Sequence, residues 1–330
     1  MRVLLITHSG DNESIEMVSR ELSRRRHTPV RLDTDLYPTE VQLSAELVGK
    51  RSRRWLTVNG KSTDLQQVGA LWYRRFYVGS ALPEDLGDTR PACVDESRRT
   101  LYGTIASLDC FQLDSLRAVR RCDHKELQLE RARAFGLDVP RTLFTNQGSA
   151  VREFARTVKV PLITKMQHSF AIYREGEEQV VFTTALSKDD LEQLEGLEFS
   201  PMTFQEKVPR KLELRATVVG KKVFTASIDA KLLEKTGVDW RRDGLELLEQ
   251  WKPYQLPLAV ERSLLRLTKW FGLNYAAADF IVTPEGRHLF LEINAGGEFF
   301  WLQRTPGLPI AQALAEVLTT PSARACHLEP

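Results

Sequence analysis

Three oxygen-bearing side chains occupy two apolar segments near the end of the chain. Asp279 lies in AAADFIV, and Glu292 and Asn294 lie in HLFLEIN. The segments predict two strands joined by a PEGR turn, and pairing Thr283 with His288 across that turn places Asp279 opposite Glu292. Because side chains alternate between the two faces of a strand, Glu292 and Asn294 share the face of Asp279.

Carboxylates placed opposite each other on an apolar hairpin repel each other and lose hydration, so the arrangement favours a bound cation. Two carboxylates and an amide form an all-oxygen ligand set, which suits Mg²⁺ with water and nucleotide phosphates as its other ligands. The spacing fits a solvated polar face on an edge hairpin equally well, because alternation is common in half-buried strands.

The composition sets broad limits on the protein. A length of 330 residues with 42% hydrophobic content predicts two or three domains with a large core. Lys and Arg total 46 and Asp and Glu 44, so the net charge of +2 predicts no general attraction to nucleic acid or membrane. The basic run from Lys50 to Arg54 is interpreted as a solvated helix end or loop.

The four cysteines predict neither a zinc site nor a disulfide framework, because they are widely spaced and form no CxxC or Cys/His pattern. The opening segment MRVLLITHSG is too short for a signal peptide, and the chain contains no run of 18 apolar residues. We therefore expect a cytoplasmic protein.

The order of predicted elements divides the chain into three domains. Residues 1–121 predict an open α/β sheet with a strand from Val3 to Thr7, a helix from Glu13 to Arg26, and further strands from Pro29 to Asp33 and from Val68 to Trp72. The loop after the first strand, HSGDNES, lacks GxGxxG, which argues against a dinucleotide site.

Residues 122–208 predict a central domain. Asp123 and Glu126 have the spacing of a capping box, and the helix that they begin ends before Gly136. Strands in LDVPRTLFTN and VKVPLITKM, a hairpin in FAIYREGEEQVVFTT and a short acidic helix follow. Residues 209–330 predict the strands LELRATVVG and KVFTASIDA, a helix over 257–271, the Asp279 hairpin and a helix over 309–318.

Two lysines upstream of the oxygen ligands provide the charge that a nucleoside triphosphate requires. Lys165 ends the apolar strand PLITK, and Lys125 lies in the first turn of the preceding helix. A single lysine at such a position commonly snorkels to solvent. The FQEKV segment predicts an extended hinge, in which Glu206, Lys207 and Val208 can meet an adenine edge through backbone groups.

Glu213, seven residues after Glu206, could accept hydrogen bonds from ribose hydroxyls, and Arg215 shares its strand face. These residues, in this order, resemble the ATP-grasp superfamily over essentially the whole chain. The resemblance rests on the lysines Lys125 and Lys165, the hinge Glu206, Lys207 and Val208, the acid Glu213, and the ligands Asp279, Glu292 and Asn294. It implies an α/β (α+β overall) ATP-grasp fold in which a central and a C-terminal domain clamp ATP and Mg²⁺.

A narrower resemblance is to the microviridin-class graspetide synthetases. It rests on the segments VLLITHSGDNES, RLDTDLYP, LWYRRF, VDWRR and EINAGGEFFWLQRTPGLPI. In the last segment Ala295 replaces the family's usual proline and Glu298 its usual glutamine, whereas Trp301 and the GLPI ending are retained.

This resemblance implies a macrocyclase that acts on a ribosomal precursor peptide. An Asp or Glu carboxylate of the peptide would attack ATP to give an acylphosphate, which a Thr or Ser hydroxyl or a Lys amine would displace to form an ω-ester or ω-amide. Arg215 is the first candidate to hold the acylphosphate, and Arg241 is a candidate clamp on the acceptor acid. Asp229 could take the proton, although a salt bridge to Lys231 or Arg215 explains it equally well.

The hairpin from Phe170 to Thr184 lies where such ligases hold a leader peptide, and the family suggests a homodimer. Two other interpretations remain at this point. An ATP-grasp ligase that adds a free amino acid, as glutamate ligases do, would share every nucleotide and metal residue. A catalytically silent peptide-binding scaffold would also keep the fold.

Overall fold

The computed structural model describes residues 1–11, 13–166, 171–174, 177–180, 183–234 and 245–326, with only the backbone described for 171–174, 177–180, 234, 245 and 246. Its helices and strands group into an N-terminal, a central and a C-terminal set. The predicted α/β character is therefore confirmed.

The N-terminal set is built around a parallel four-stranded sheet. Its strands are β1 (Arg2–Thr7), β2 (Thr28–Asp33), β3 (Val41–Val48), β4 (Arg51–Val58), β5 (Lys61–Asp64), β6 (Val68–Tyr73) and β7 (Phe111–Leu113), and its helices are α1 (Glu13–Arg24), α2 (Arg90–Ala106) and α3 (Leu116–Cys122). The parallel sheet has the order β2-β1-β6-β7. The predicted open sheet is confirmed, and the predicted domain boundary at 121/122 falls inside the last turn of α3.

Strands β3, β4 and β5 form an antiparallel meander that the sequence analysis missed. The basic run from Lys50 to Arg54 was wrongly interpreted, because it belongs to the β3–β4 turn and to β4. Asn59 and Gly60 both have positive φ in the second turn. An Asn-Gly pair between two strands is a strong hairpin signal, and it was present in the sequence.

The central set pairs a four-stranded sheet with a separate hairpin. Its elements are α4 (Lys125–Ala134), β8 (Thr142–Thr145), α5 (Gly148–Val158), β9 (Leu162–Lys165), β10 (Ala171–Arg174), β11 (Glu177–Val180), β12 (Thr184–Ala185), α6 (Lys188–Glu192) and β13 (Met202–Glu206). The sheet has the order β12-β9-β13-β8. The predicted hairpin is confirmed, since β10 and β11 pair with Arg174 opposite Glu177, although its turn lies outside the described residues.

The predicted capping box at Asp123 is wrong. The residue before α4 is His124, which makes no side-chain cap, whereas Asp123 terminates α3. Two short helices therefore meet where the sequence analysis expected one helix to begin. The Asp123 N–H donates to the carbonyls of Val119 and Arg120 at the C-terminal end of α3.

The C-terminal set is an antiparallel sheet packed between helices. Its elements are β14 (Leu212–Val219), β15 (Lys222–Asp229), α7 (Ala230–Glu234), α8 (Leu245–Leu248), β16 (Lys252–Pro253), α9 (Leu258–Phe271), β17 (Tyr275–Val282), β18 (His288–Asn294), α10 (Phe300–Arg304) and α11 (Ile310–Thr319). The sheet has the order β16-β15-β14-β17-β18. One face buries Leu214 and Phe280 in the core that α9 completes, which leaves the other face available for polar residues.

A β-bulge in β18 sets the register of the Asp279 hairpin. The predicted register at the turn is wrong by one residue, because His288 pairs with Val282 and not with the residue after it. The bulge at Leu291 then shifts the ladder by one residue and gives the predicted pair of Asp279 with Glu292. The predicted pair is confirmed, but it depends on the bulge and not on the register that was predicted at the turn.

All four cysteines are free thiols in the described structure. Within the described ranges, no helix combines the length and the apolar character that crossing a membrane requires.

Candidate active site

The middle of the C-terminal sheet carries a row of side chains on its polar face. Arg215 on β14 lies opposite Asp279 on β17, which in turn lies opposite Glu292 on β18. Asn294 follows on the same face, opposite Ala277. The structure therefore brings together the three predicted oxygen ligands and one predicted arginine.

Two cations neutralise the carboxylates from different directions. Arg215 Nη1 donates to both oxygens of Asp279, at 2.7 and 2.9 Å. Lys125 Nζ lies 3.1 Å from Glu292 Oε2 and donates to Asn294 Oδ1 at 3.1 Å. Asn294 Nδ2 completes the group by donating to Glu292 Oε1 at 2.9 Å. The repulsion expected between the carboxylates is thus offset by these cations.

Burial and neighbouring charges move the pKa values of the site in different directions. Burial raises the pKa of Asp279, and this effect outweighs the opposing charge of Arg215. Burial also disfavours the Glu292 carboxylate, but Lys125 and Lys165 outweigh it and lower the pKa of Glu292 to about 2. Burial lowers the pKa of Lys165, which Glu292 partly opposes.

Lys165 lies near this group without a carboxylate partner of its own. Among the described residues, no carboxylate oxygen is within 4.0 Å of its Nζ. We define the site cluster as Lys125, Lys165, Arg215, Asp279 and Glu292. Its three cations exceed its two carboxylates by one charge, which suits a polyanion such as a nucleotide.

The donor set at this site fits a hard divalent cation. Asp279, Glu292 and Asn294 offer carboxylate and amide oxygens, the ligands that Mg²⁺ takes together with water and phosphate. Among the described residues, no group of three His, Cys, Asp or Glu side chains is placed to hold a metal. The proposed ligand set consists of two acids and one amide. Such a small protein share is typical of Mg²⁺ sites that bind nucleotides.

The predicted hinge lies at the end of β13, where the central sheet meets the C-terminal set. Glu206 Oε1 accepts from the backbone N–H of Arg141 at 3.0 Å, and Lys207 N–H donates to Pro161 O at 2.8 Å. The Val208 N–H has no hydrogen-bond acceptor among the described residues. Glu206 therefore has a structural partner, whereas Val208 keeps a backbone donor that a ligand can use.

Glu213 lies two residues before Arg215 on the same face of β14. It forms an ion pair with Arg210, and burial together with Asp279 raises its pKa against the opposing charge of Arg210. Glu213 thus lies at the edge of the site cluster, as the sequence predicts.

The structure does not bring Asp229 into the site. Asp229 is exposed at the end of β15, and its carboxylate accepts from the backbone N–H of Lys231 at 2.9 Å. Ala226 lies opposite Arg215, so alternation along β15 turns Asp229 to the other face of the sheet. Neither salt bridge considered for Asp229 forms among the described residues, since Arg215 pairs with Asp279 and Lys231 contacts Asp229 through its backbone N–H. Arg241 lies outside the described residues.

A second cluster of charges, missed by the sequence analysis, joins the N-terminal and C-terminal sets. We define it as the interdomain cluster of Asp11, Arg74, Arg75 and Glu298. The fully buried Arg74 contacts Asp11 Oδ2 through Nε at 2.6 Å and also pairs with Glu298. Arg75 Nη2 lies 3.1 Å from Glu298 Oε2. The signal was the RR pair at the carboxyl end of β6, where open sheets concentrate their polar groups.

The interdomain cluster adjoins the site through a glycine loop. Glu298 O accepts from Arg215 Nη2 at 3.3 Å. A Cβ on Gly297 would lie 2.7 Å from Arg215 Nη2 and 2.4 Å from Ala277 Cβ, so only glycine allows this close approach. The loop between Asn294 and α10 is consequently held against both clusters.

An N-terminal open sheet, two further antiparallel sheets, and a pair of carboxylates contacted by Arg215 and Lys125 together have the organisation of an ATP-grasp ligase. Comparisons with known proteins agree with this class. The sequence model of the MvdD pre-ATP grasp domain matches residues 2–120. None of the curated protein sequences compared matches the chain.

Solved structures give a closer assignment. The macrocyclase MdnC of Microcystis aeruginosa MRC, solved with precursor peptide MdnA, is 44% identical, with 97% of this chain and 100% of that chain covered and a TM-score of 0.89. A Chryseobacterium gregarium RiPP-associated ATP-grasp ligase, solved with ADP and a leader and core peptide, is 36% identical, with 100% and 99% covered and a TM-score of 0.93. The macrocyclase MdnB of Microcystis aeruginosa MRC is 37% identical, with 97% and 99% covered and a TM-score of 0.82. The chain therefore belongs to the graspetide synthetase family of ATP-grasp ligases, as its sequence predicts.

Proposed function

We propose that this ligase crosslinks side chains of a ribosomal precursor peptide at the expense of ATP. The observation that carries the proposal is the site cluster with its surplus positive charge, in a chain that is 44% identical to a macrocyclase bound to its precursor. An Asp or Glu carboxylate of the peptide attacks the γ-phosphate of ATP and releases ADP. A Thr or Ser hydroxyl or a Lys amine then attacks the acylphosphate carbon, which forms an ω-ester or ω-amide and releases phosphate and a proton.

Each residue of the site has a task in this reaction. Asp279, Glu292 and Asn294 would hold Mg²⁺, which supplies charge stabilisation to the transferring phosphoryl group. Lys125 and Lys165 neutralise phosphate oxygens as negative charge moves to the departing ADP. No side chain is required as a nucleophile, because the acyl group is activated on phosphate.

The remaining candidates contact the rest of the substrates. The Val208 N–H, which has no acceptor in the described part of the chain, would donate to the adenine edge, while Glu206 and Lys207 hold the hinge backbone. Glu213 would accept from ribose hydroxyls. Arg215, whose buried Nε has no partner among the described residues, would hold the acylphosphate after leaving Asp279 to the metal.

Three further parts of the proposal concern the peptide and the setting of the enzyme. Arg241 would clamp the acceptor carboxylate, and the β10–β11 hairpin would hold the leader peptide, as the family resemblance implies. A cytoplasmic location is supported by four free thiols, which are typical of reducing compartments. We also propose a homodimer, which light scattering of the purified protein tests directly.

Mass spectrometry tests the reaction. The protein is incubated with ATP, Mg²⁺ and a candidate precursor peptide that contains Asp or Glu together with Thr, Ser or Lys, and we expect the peptide to lose one water mass for each crosslink. A gain of an amino acid mass would instead indicate a free-amino-acid ligase and contradict the proposal. Glu292→Gln is expected to abolish the mass loss, while the exposed variant Glu13→Ala should retain it.

A further inference from the structure

Strand β18, which carries two of the proposed metal ligands, lies at the edge of its sheet. An edge strand exposes backbone N–H and C=O groups that no neighbouring strand satisfies. In β18 these groups include those of Ile293, the residue between Glu292 and Asn294. Ile293 is itself buried, so its backbone groups require partners from the protein.

Gln128 supplies both partners with one side chain. Its Oε1 accepts from the Ile293 N–H at 2.9 Å, and its Nε2 donates to the Ile293 carbonyl at 2.8 Å. The amide thus takes the place of an additional strand at this one residue. Gln128 is fully buried, and its Nε2 also donates to the carbonyl of Cys122 at the end of α3.

The same helix reaches the ligands on either side of Ile293. Lys125, one turn before Gln128 on α4, contacts Glu292 Oε2 and Asn294 Oδ1. Helix α4 therefore touches three consecutive residues of β18, with its lysine on the two side chains and its glutamine on the backbone between them. The two hydrogen bonds between Gln128 and Ile293 fix the distance between β18 and α4. The contacts of Lys125 with Glu292 and Asn294 depend on that distance.

We propose that Gln128 is a positioning residue for the metal and phosphate site. It sets the separation between Lys125 and the oxygen ligands Glu292 and Asn294, and it touches neither metal nor nucleotide. A residue that orients ligands in this way typically affects metal affinity or activity by about 10-fold to 100-fold when it is changed. The expected effect of Gln128 on turnover rests on the proposed function. Its expected effect on β18 rests on the hydrogen bonds alone.

The test compares Gln128→Met with the parent and with Gln303→Met. Methionine keeps the length and much of the volume of glutamine but leaves the Ile293 N–H without its side-chain acceptor and the Ile293 carbonyl with only the weak Cys122 Sγ contact at 3.8 Å. Gln303 also accepts a hydrogen bond from a backbone group, from the Ala311 N–H to its Oε1 at 2.6 Å, and in the described part of the chain it makes no hydrogen bond to the site cluster. Gln303→Met therefore controls for the loss of one hydrogen bond between a glutamine side chain and the backbone.

Hydrogen exchange of the ligand-free proteins provides a measurement that does not need turnover. We expect faster amide exchange in a peptide covering residues 289–295 of Gln128→Met, and parental exchange there in Gln303→Met. Calorimetry with Mg²⁺ and ADP should show affinity weaker by about 10-fold in Gln128→Met. Unchanged exchange or unchanged affinity would overturn the positioning role even if the proposed reaction is wrong.

Steady-state kinetics then separates positioning from a general loss of structure. For Gln128→Met we expect a lower kcat and a higher Mg²⁺ requirement at an unchanged peptide KM. Gln128→Glu keeps an acceptor for the Ile293 N–H but turns a buried carboxyl oxygen toward the Ile293 and Cys122 carbonyls, so we expect a loss of kcat of at least about 10-fold. If Gln128→Met does not fold, a Gln128→Glu variant with parental kcat and Mg²⁺ requirement would contradict the proposal.

Discussion

The two clusters of charge in this protein differ in how completely they are paired. In the interdomain cluster two arginines face two carboxylates, and Arg74 contacts both Asp11 and Glu298. In the site cluster three cations face two carboxylates, and Lys165 has no described carboxylate within ion-pair distance. The comparison indicates that a balanced cluster joins domains, whereas a cluster with surplus charge is prepared for a ligand of the opposite sign.

The largest expected effect is on stability, at the interdomain cluster. Arg74→Met leaves Asp11 and Glu298 with one half-exposed arginine, and breaking a buried ion pair in this way costs about 3–5 kcal/mol. Urea unfolding measures the loss. The exposed interdomain pair of Arg304 and Glu13, at 2.6 Å, is the control, and Arg304→Met should cost less than about 1 kcal/mol. Equal losses in the two variants would remove the distinction between the pairs.

The next effect is on turnover, at the site cluster. Asp279→Asn keeps the shape of the side chain but removes the charge that would hold Mg²⁺, and we expect crosslink formation to fall by at least about 100-fold. Its unfolding free energy should stay closer to the parental value than that of Arg74→Met. The measurement is the rate of peptide mass loss at saturating ATP. A rate within a few-fold of the parent would exclude Asp279 as a metal ligand.

Lys165→Met tests the surplus charge directly. Because no described carboxylate loses its ion pair, the free energy of unfolding should change by less than about 1 kcal/mol. Affinity for ATP should fall by about 10-fold, since hydrogen bonds to charged groups contribute about 1.5–3 kcal/mol. Calorimetry and urea unfolding give the two numbers. A large loss of stability without loss of affinity would make Lys165 a structural residue.

The pH dependence of the interdomain cluster is a smaller effect. Burial disfavours the Asp11 carboxylate, but Arg74 and the hydroxyl of Thr7 outweigh it and lower the pKa of Asp11 below 3.8. The ionised form therefore stabilises the folded state above pH 3.8, and this contribution is lost as pH falls below that value. Urea unfolding between about pH 5 and pH 3 should show a shallower decline for Asp11→Asn than for the parent. Parallel declines would contradict this assignment.

No effect on turnover is expected from a change at Asp229. Asp229 lies on the face of the sheet away from Arg215, so Asp229→Asn should retain parental kcat and KM. A loss of kcat of about 100-fold or more at an unchanged KM would restore Asp229 as the general base.

The sequence predicts the site better than it predicts the connections around it. Asp279, Glu292 and Asn294 are identifiable because ligand types and strand alternation are local properties of two short segments. The RR pair of the interdomain cluster is visible in the sequence, but its partners are not identifiable, because Asp11, Arg74 and Glu298 meet only after the first and last domains pack together. Gln128 is hidden for a similar reason, since its role depends on the edge of a strand 165 residues away. The structure turns Asp229 away from the site, a placement that depends on the register between β14 and β15.

The extra residue at Leu291 affects how related sequences should be searched. Without it, a regular ladder from the turn would still place Asp279 opposite Glu292, so the pair survives whether this position is present or deleted. A search pattern that fixes the number of residues between these two acids would therefore miss homologues that lack the bulge. A pattern written as a cross-strand pair, with one optional residue before the Glu-x-Asn segment, would recover both forms.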